Sequence, residues 1–325
     1  MINITQQPNT PISAFNDSIY VMETSASDAI KGSVLSGSTI LGSQYAVRIG
    51  GVFTFNFKGL LSTILNKYNN PLLTSTSLNT LTTSNKVLTT IPLTIEFEEV
   101  IETPDTETIS EIIHRSSNNN RSYWNTSQNA FIANYSGDRY IFKNSIIPIT
   151  IIGKNQSHTL NINGSGNSIT LTNHLNNYTY RTNNDKLTLN INNQTINYYL
   201  INKPQRGKTI YWLNEFGGWE QFIFIDYDER QIINKENFYT YKEPGYTQRE
   251  YATNIDTSYT ELKLYSYPTD GRRFTYLKSL MYSPIILDED GNRLELVTGN
   301  LLTDLNDIHT PDISVRYLNQ NIMNF

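Results

Sequence analysis

The sequence predicts a mainly β protein built from tandem β-sandwich-like modules, with two or three short helices and long polar loops. Apolar residues recur at every second position in many short segments, which is the spacing of a half-buried strand. Turn-forming runs rich in Asn, Gly and Asp separate these segments. Tyrosine is also abundant, with 22 Tyr against 13 Phe, and tyrosine favours the half-buried surfaces of sheets.

Length and composition restrict the classes of function. At 325 residues the chain exceeds the usual size of one domain, so we expect two or three. A net charge of -5 argues against a dedicated nucleic-acid binder, which normally carries a basic excess. The absence of Cys excludes disulfides, thiolate nucleophiles and cysteine zinc sites. Neither a secretory signal nor a membrane-length apolar stretch is evident, so we expect synthesis in a cytoplasm and no membrane partner.

Residues 1–102 are predicted to form an N-terminal β-sandwich-like module with one short helix. Alternating apolar residues on either side of Gly50-Gly51 predict adjacent antiparallel strands, after a surface loop or weak hairpin over 24–44. The segment 57–68 has apolar residues in steps of three and four, as in a helix. In the strand predicted over 91–101, Leu93 and its apolar neighbours face one way, whereas Glu96 and Glu98 face the other.

Residues 103–205 are predicted to form a β-rich middle module with a mobile loop. The segment 104–114 is compatible with one short helix capped by Thr103 or Asp105, and the polar tract 116–122 predicts the mobile loop. After it come short alternating segments separated by turns, the pattern of a sandwich or compact meander. These predicted strands are 140–142, 146–152, 159–162, 168–172, 186–191 and 195–201.

Residues 206–325 are predicted to form a C-terminal β module organised around WLNEFGGWEQFIFIDYD, residues 212–228. Gly217-Gly218 predicts a sharp turn, and the alternation after it places Phe222 and Phe224 on the same strand face as Asp226 and Asp228. Further predicted elements are a strand over 259–265, a short helix over 273–281, a hairpin formed by 284–287 and 293–297, and a last strand over 313–317.

The candidate chemical sites have simpler structural explanations. Glu96 and Glu98 could lie about 7 Å apart, as in an inverting glycosidase, and Asp226 and Asp228 have the same spacing, but a solvated strand face is favoured for both pairs. Asp288-Glu289-Asp290-Gly291-Asn292 departs from the calcium-loop pattern and predicts a hairpin tip. His114, His158, His174 and His309 are isolated in sequence, and the basic cluster KPQRGK at 203–208 is expected to be a solvated loop.

We therefore predict no catalytic, metal or cofactor site and expect a protein that is not an enzyme. The candidate functional residues instead form a packing motif with a glycine hinge, in which large rings fold onto a turning backbone. Its members are Trp212, Phe216, Gly217, Gly218, Trp219, Phe222 and Phe224.

Three stretches resemble a known family. The run W-L-N-E-F-G-G-W-E-x-F-x-F at 212–224 resembles a motif that recurs in structural proteins of tailed bacteriophages infecting Bacteroidetes, particularly the collar and tail ring proteins of crAss-like phages. TQQPNTPISAFNDSIYV at 5–21 resembles the opening strand of that family, and YLKSLMYSPIIL at 276–287 resembles a helix and strand late in such chains. The middle third, about 103 to 205, has no match.

The resemblance implies a structural virion protein in the collar or tail. Its expected state is a homo-oligomeric ring, dodecameric by that likeness, which joins the portal to the tail. The implied partners are the portal, neighbouring ring or tail proteins and tail fibres, with DNA passing through the channel, where KPQRGK could contact it. Two alternatives stay open: a carbohydrate-binding or glycan-cleaving receptor-binding tail component that uses Glu96 and Glu98, and a jelly-roll capsid or decoration protein.

Overall fold

The computed structural model describes residues 1–8, 12–67, 77–83, 90–114, 131–132, 137–153, 157–171, 174–192, 194–241, 249–266, 269–270, 277–300, 308–309 and 312–317. Within these ranges the chain is mainly β, and its sheets form sandwich-like modules in tandem, which confirms the predicted fold class.

The first module packs two sheets face to face. One sheet has the order β1-β3-β6 and the other β2-β9-β8-β4-β5, while β7 joins a sheet of the middle module. The elements are β1 (Asn3–Gln6), β2 (Ile12–Ser13), β3 (Ile19–Glu23), β4 (Ala29–Ser36), β5 (Thr39–Val47), β6 (Phe53–Asn56), α1 (Lys58–Lys67), β7 (Thr82–Thr83), β8 (Thr90–Glu99) and β9 (Thr106–His114).

Aromatic rings fill the space between these two sheets. The ring centroids of Tyr20 and Phe97 lie 5.4 Å apart, and those of Phe55 and Phe57 lie 5.7 Å apart in a stacked pair. Phe53, Phe55 and the apolar side of β8 are buried, as their alternation predicted, but Tyr45, Val47 and Ile49 before Gly50-Gly51 are exposed. The predicted pairing of the strands on either side of this turn is also wrong, because β5 and β6 belong to different sheets and meet only in the bridge Ile49↔Val52. The predicted helix is also present as α1, whose first turn is capped where the Asn56 side chain accepts a hydrogen bond from the Lys58 amide at 3.1 Å.

The helix predicted over 104–114 is wrong, because Thr106–His114 forms strand β9. This strand pairs with β8 along its length, from Glu98↔Thr106 to Thr90↔His114. Pairing with an existing strand satisfies the backbone groups of the segment and brings Ile109 onto the aromatic core, which a short exposed helix could not do. The predicted boundary at 102 thus falls between two paired strands, and the predicted mobile loop at 116–122 lies outside the described residues.

The middle module is a second sandwich, with sheets ordered β10-β12-β15-β7 and β11-β17-β16-β13-β14. Its turns have the predicted chemistry: Asn163 and Gly164 join β13 to β14 with φ values of 50° and 83°, as a two-residue hairpin requires. The strands are β10 (Phe131–Ile132), β11 (Gly137–Phe142), β12 (Ile147–Gly153), β13 (Ser157–Ile162), β14 (Ser165–Thr170), β15 (His174–Tyr180), β16 (Lys186–Ile191) and β17 (Gln194–Ile201). The sequence prediction missed β15.

The C-terminal module is a sheet of seven strands in the order β19-β18-β23-β24-β26-β21-β20. A two-stranded sheet, β22-β25, accompanies it. The strands are β18 (Lys208–Leu213), β19 (Trp219–Phe224), β20 (Asp226–Tyr241), β21 (Arg249–Tyr265), β22 (Thr269–Asp270), β23 (Ile286–Leu287), β24 (Arg293–Asn300), β25 (Ile308–His309) and β26 (Asp312–Tyr317).

This seven-stranded sheet curls until its two edges meet. Strands β19 and β20 are separated only by Ile225, yet they occupy opposite ends of the strand order. The Ile225 amide donates a hydrogen bond to the Tyr265 carbonyl at 2.8 Å, so the chain crosses from one edge to the other at this residue. Residues from β18, β19, β21, β23, β24 and β26 consequently surround one core, together with Leu277 and Leu280 from the helical segment 277–281.

The N-terminal core provides a test of how tightly its rings are packed. A Cβ added at Gly32 on β4 would lie 2.8 Å from Cζ of Phe57 and 2.9 Å from Cε1 of Phe55. Because both rings are buried, we expect Gly32→Ala to lower the free energy of unfolding by about 1–3 kcal/mol in urea denaturation. Gly59→Ala in α1, where a Cβ meets nothing within 4 Å, is the control and should be neutral or slightly stabilising. Equal effects of the two changes would contradict tight packing at Gly32.

Candidate functional site

The motif at 212–224 forms a β-hairpin made of β18 and β19, with Leu213 and Trp219 as the last paired residues before the turn. Asn214 organises that turn. Its side-chain oxygen accepts hydrogen bonds from the amides of Phe216 at 3.0 Å and Gly218 at 2.8 Å. Gly217 adopts a φ of 83°, which a residue with a Cβ reaches only with strain, so the predicted glycine hinge lies in this turn.

The two tryptophans of the hairpin point to opposite sides of the sheet. Trp212 packs in the core of the C-terminal module, where its indole nitrogen donates to the Ser279 hydroxyl at 2.7 Å. Trp219 packs on the other side, in a small cluster with Tyr211, Leu213, Ile285 and Leu287. Phe15, which follows strand β2 of the N-terminal module, packs against this second cluster. The hairpin therefore contacts the first module.

The same hairpin is joined to the middle module by buried polar contacts. The guanidinium of Arg139 on β11 forms an ion pair with the Glu220 carboxylate on β19, and these side chains are 2% and 0% exposed. The second Glu220 oxygen accepts a hydrogen bond from the Asn214 amide group at 2.9 Å. Thus the residue that organises the turn also holds the carboxylate that pairs with the neighbouring module.

Two further hydrogen bonds cross this contact. The Tyr211 hydroxyl donates to the Ile146 carbonyl at 3.0 Å, and the Trp219 amide donates to the Thr150 hydroxyl at 3.3 Å. Thr150 in turn donates to the Asn177 side chain at 2.8 Å, within the middle sandwich. We call the set Arg139, Thr150, Tyr211, Asn214, Trp219 and Glu220 the junction.

Charge and burial at the junction affect Tyr198, which lies on β17 beside Arg139. The Arg139 guanidinium carbon is 5.9 Å from the centre of the Tyr198 ring. Burial raises the pKa of Tyr198 to about 12, the Arg139 charge lowers this pKa and the Glu220 charge raises it. Burial also raises the pKa of Tyr211. Both phenols therefore stay neutral at physiological pH.

The structure places the predicted motif residues in different environments. Trp212, Trp219, Phe222 and Phe224 are buried, whereas Phe216 is half-buried in the turn. The rings of Phe222 and Phe224 contact each other edge to face, with centroids 5.1 Å apart, in the same core as Trp212. Of the seven predicted residues, only Trp219 belongs to the junction.

The predicted continuation of this strand through the aspartates is wrong, because β19 ends at Phe224 and a new strand begins at Asp226. Asp226 and Asp228 lie on β20 at the opposite edge of the sheet. Both interact with Arg206, whose Nε lies 2.8 Å from Asp226 and whose Nη2 lies 3.8 Å from Asp228. Lys203 is paired with Glu289 at 2.5 Å. Two cations of the KPQRGK loop are thus bound to carboxylates of the same chain.

Two further candidate groups, at Glu98 and at Asp288, are also in structural roles. Glu98 forms an ion pair with Lys31 of the adjacent strand at 3.6 Å, which is a surface contact across β4 and β8. Asp288 accepts hydrogen bonds from the Asp290 amide at 3.0 Å and the Asn292 amide at 2.8 Å, which gives the predicted hairpin tip between β23 and β24. Among the described residues no group of three or more His, Cys, Asp or Glu is placed to hold a metal ion.

Sequence reasoning missed the partners of the motif. Glu220 and Gln221 interrupt an otherwise apolar strand in which every residue is buried. Since buried polar side chains need partners, this interruption was the signal in the sequence that a polar partner lies opposite. Arg139 gave a similar signal, because it precedes the apolar Ile141 and Phe142. No helix in the described part of the chain is long and apolar enough to span a membrane.

Comparison with known proteins yields likeness of fold only. No protein-family model and no curated protein matches the chain. Among solved structures, it is similar to the fibronectin(III)-like modules of Clostridium thermocellum CbhA (7% identity, 62% of this chain and 95% of that chain, TM-score 0.20). It is also similar to titin domains A168–A170 (8% identity, 81% and 92%, TM-score 0.25) and to the titin I9–I11 tandem (8%, 81% and 94%, TM-score 0.20). These TM-scores are too low to bear on function.

The junction predicts unequal costs for two ion pairs. Glu220→Gln leaves the Arg139 charge buried without a counter-charge, so we expect it to lower the free energy of unfolding by about 3–5 kcal/mol. Glu295→Gln removes the exposed pair with Arg316, whose side chains are 45% and 37% exposed, and should cost about 1 kcal/mol or less. Urea denaturation measures both. Similar losses for the two variants would mean that the buried pair does not stabilise the fold.

The raised pKa of Tyr198 predicts a loss of stability in alkali. In the unfolded chain a tyrosine ionises near pH 10, whereas Tyr198 in the folded chain ionises near pH 12. Ionisation of Tyr198 therefore leaves the free energy of unfolding unchanged below pH 10. As the pH rises towards 12, the free energy of unfolding falls by about 2 kcal/mol, because the unfolded chain loses this proton first. Between pH 9 and pH 12 the free energy of unfolding, measured by urea denaturation, should decline less steeply in Tyr198→Phe than in the wild-type protein. The exposed Tyr282→Phe, which removes a phenol from the surface, is the control.

Proposed function

We propose that this chain is a structural virion protein that forms a homo-oligomeric ring in the collar or tail of a tailed bacteriophage and links the portal to tail components. The observation that carries the proposal is the position of the motif at 212–224. The stretch that resembles phage ring proteins is the hairpin through which the C-terminal module contacts both other modules.

A ring places a specific demand on its subunit. Each copy must present its two contact surfaces at a fixed angle, because an error of a few degrees accumulates around the ring and prevents closure. Modules joined only by apolar contacts can slide over one another, since apolar packing has no preferred direction. The junction adds directional contacts, among them the Arg139–Glu220 pair and the Tyr211 and Trp219 hydrogen bonds, which are satisfied in one relative orientation.

The junction also explains why the motif combines glycines with tryptophans. Gly217 permits the tight turn that places Asn214 against Glu220. Trp219 packs on the face of the hairpin opposite Glu220, in the cluster against which Phe15 of the N-terminal module packs. A motif of this composition serves to join modules within one subunit, which suits a structural part of a particle.

The proposal predicts that damage to the hairpin prevents assembly. Trp219→Ala empties the small cluster against Phe15, and Gly217→Val forces a β-branched residue to a φ of 83°. We expect wild-type protein to form closed rings in negative-stain images and mass photometry, and both variants to fail to assemble or to fold. Gly59→Ala, in open space on α1, is the control and should form rings normally. A wild-type chain that is strictly monomeric and absent from purified virions would overturn the proposal.

A further inference from the structure

Among the described residues, strand β5 is an edge strand that lacks the usual protection. It is the last strand of its sheet, and its nine residues, TILGSQYAV, include neither a charged residue nor a proline. Proteins normally protect long edge strands with such residues, because an open edge pairs readily with another chain. On β5 three of the exposed side chains are large and apolar or aromatic: Ile40 is 51% exposed, Tyr45 69% and Val47 63%.

The apolar surface continues from β5 across the end of the sheet. Val47 pairs with Ala29, and the Val100 amide donates to the carbonyl of the same Ala29 at 3.1 Å, so Val47 and Val100 flank one residue of β4. Val100 is 51% exposed, and Ile49, just beyond β5, is 74% exposed. Exposed apolar residues grouped in this way beside an open edge indicate a docking surface.

The second unpartnered feature is a long β-hairpin, here called the arm. It consists of β20, with 16 residues, and β21, with 17 residues, paired from Asp226↔Tyr265 to Tyr241↔Arg249. Strand β26 pairs with β21 only at Glu261–Leu264. In the described part of the chain, the remaining length of the arm, about 40 Å at about 3.3 Å per residue, has no other strand beside it.

A two-stranded ribbon of this length is marginally stable in water, since it buries little surface and leaves backbone groups open along both edges. Its distal part nevertheless has a sequence typical of a paired strand: the end of β20 is INKENFYTY, rich in β-branched and aromatic residues. The arm therefore requires a partner that offers backbone hydrogen bonds. The open edge of β5 offers such hydrogen bonds. Within one copy β5 and β20 lie in different sheets and do not pair with each other.

We propose that the arm of one copy docks on a second copy of this chain, where β20 adds as a new strand at the outer edge of β5. The nine residues of β5 fit within the 16 of β20, whose outer edge pairs with no other strand in the described part of the chain. Near the start of β20 the Tyr227 carbonyl accepts a hydrogen bond from Arg206, so the edge that can receive a strand lies beyond this residue. The contact buries the patch around Val47. It joins two different surfaces, so it is heterologous, and repeated contacts of this kind produce a ring or a filament. The inference rests on the proposed function for its choice of a second copy as the partner.

The first test compares edge, arm and control variants by mass photometry and size-exclusion chromatography. Val47→Lys and Tyr45→Lys each place a charge on the open edge through an exposed side chain. A shortened arm replaces residues 234–257 by Asn-Gly, which joins the paired residues Ile233 and Ser258 by a two-residue turn. Tyr282→Lys makes the same change at a tyrosine that is 84% exposed elsewhere. We expect loss of the oligomer in the first three variants and no change in Tyr282→Lys.

The second test uses the absence of Cys from the chain. One preparation carries Val47→Cys, and a second, tagged so that its mass differs, carries Cys at 238, 239, 240 or 241. The two are mixed and oxidised. We expect a disulfide between the two chains for at least one arm position, and none when Tyr282→Cys replaces Val47→Cys. This readout does not depend on the folding of the lysine variants.

The outcomes separate the inference from the proposed function. Oligomers that persist in the edge and arm variants, with no cross-link, overturn the docking of the arm on β5 and leave a ring protein that uses another surface. A cross-linked oligomer that forms chains or dimers and is absent from virions supports the docking and overturns the ring. A monomer at every concentration, with no cross-link, overturns both.

Discussion

The buried pair of Arg139 and Glu220 is the contact on which the arrangement of the modules depends. Bringing two charges out of water is costly, so such a pair persists only when its remaining hydrogen-bonding groups are also satisfied. Asn214 meets part of that requirement from within the turn of the hairpin. The conformation of a local turn and the orientation of a distant module are thereby linked, because the same side chain takes part in both.

The curled sheet of the C-terminal module gives the hairpin its second connection. Since only Ile225 separates β19 from β20, the strand that holds Glu220 continues directly into the arm. The core around Trp212 holds Phe222 and Phe224 at the end of β19 and Tyr227 near the start of β20. The arm extends beyond the last residue that β26 pairs. Any load on the arm is therefore transmitted to the strand that carries the junction. This continuity suits a protein whose proposed role is mechanical.

Local patterns predicted the fold well where one face of a strand meets a core. The alternation of Leu93, Ile95 and Phe97 identified β8 and its buried face, and Asn163-Gly164 identified a tight hairpin. Strand β9 was mistaken for a helix because the spacing of Ile109, Ile112 and Ile113 suits either structure, and only pairing with β8 decides between them. The polar HLNNYTY of β15 and the distal arm were missed because strand preference depends on neighbouring strands.

By itself, the sequence determined the strand periods, the turn at Gly217 and the fact that the residues around it are large and apolar. Only the tertiary structure decided that Trp212 and Trp219 enter different cores, that Glu220 meets Arg139, and that Asp226 lies across the sheet from Phe224. The physical reason is one of range. Side-chain alternation and turn chemistry act over a few residues, whereas the partner that covers each face is brought there by a part of the chain up to about 200 residues away, as Phe15 is to Trp219.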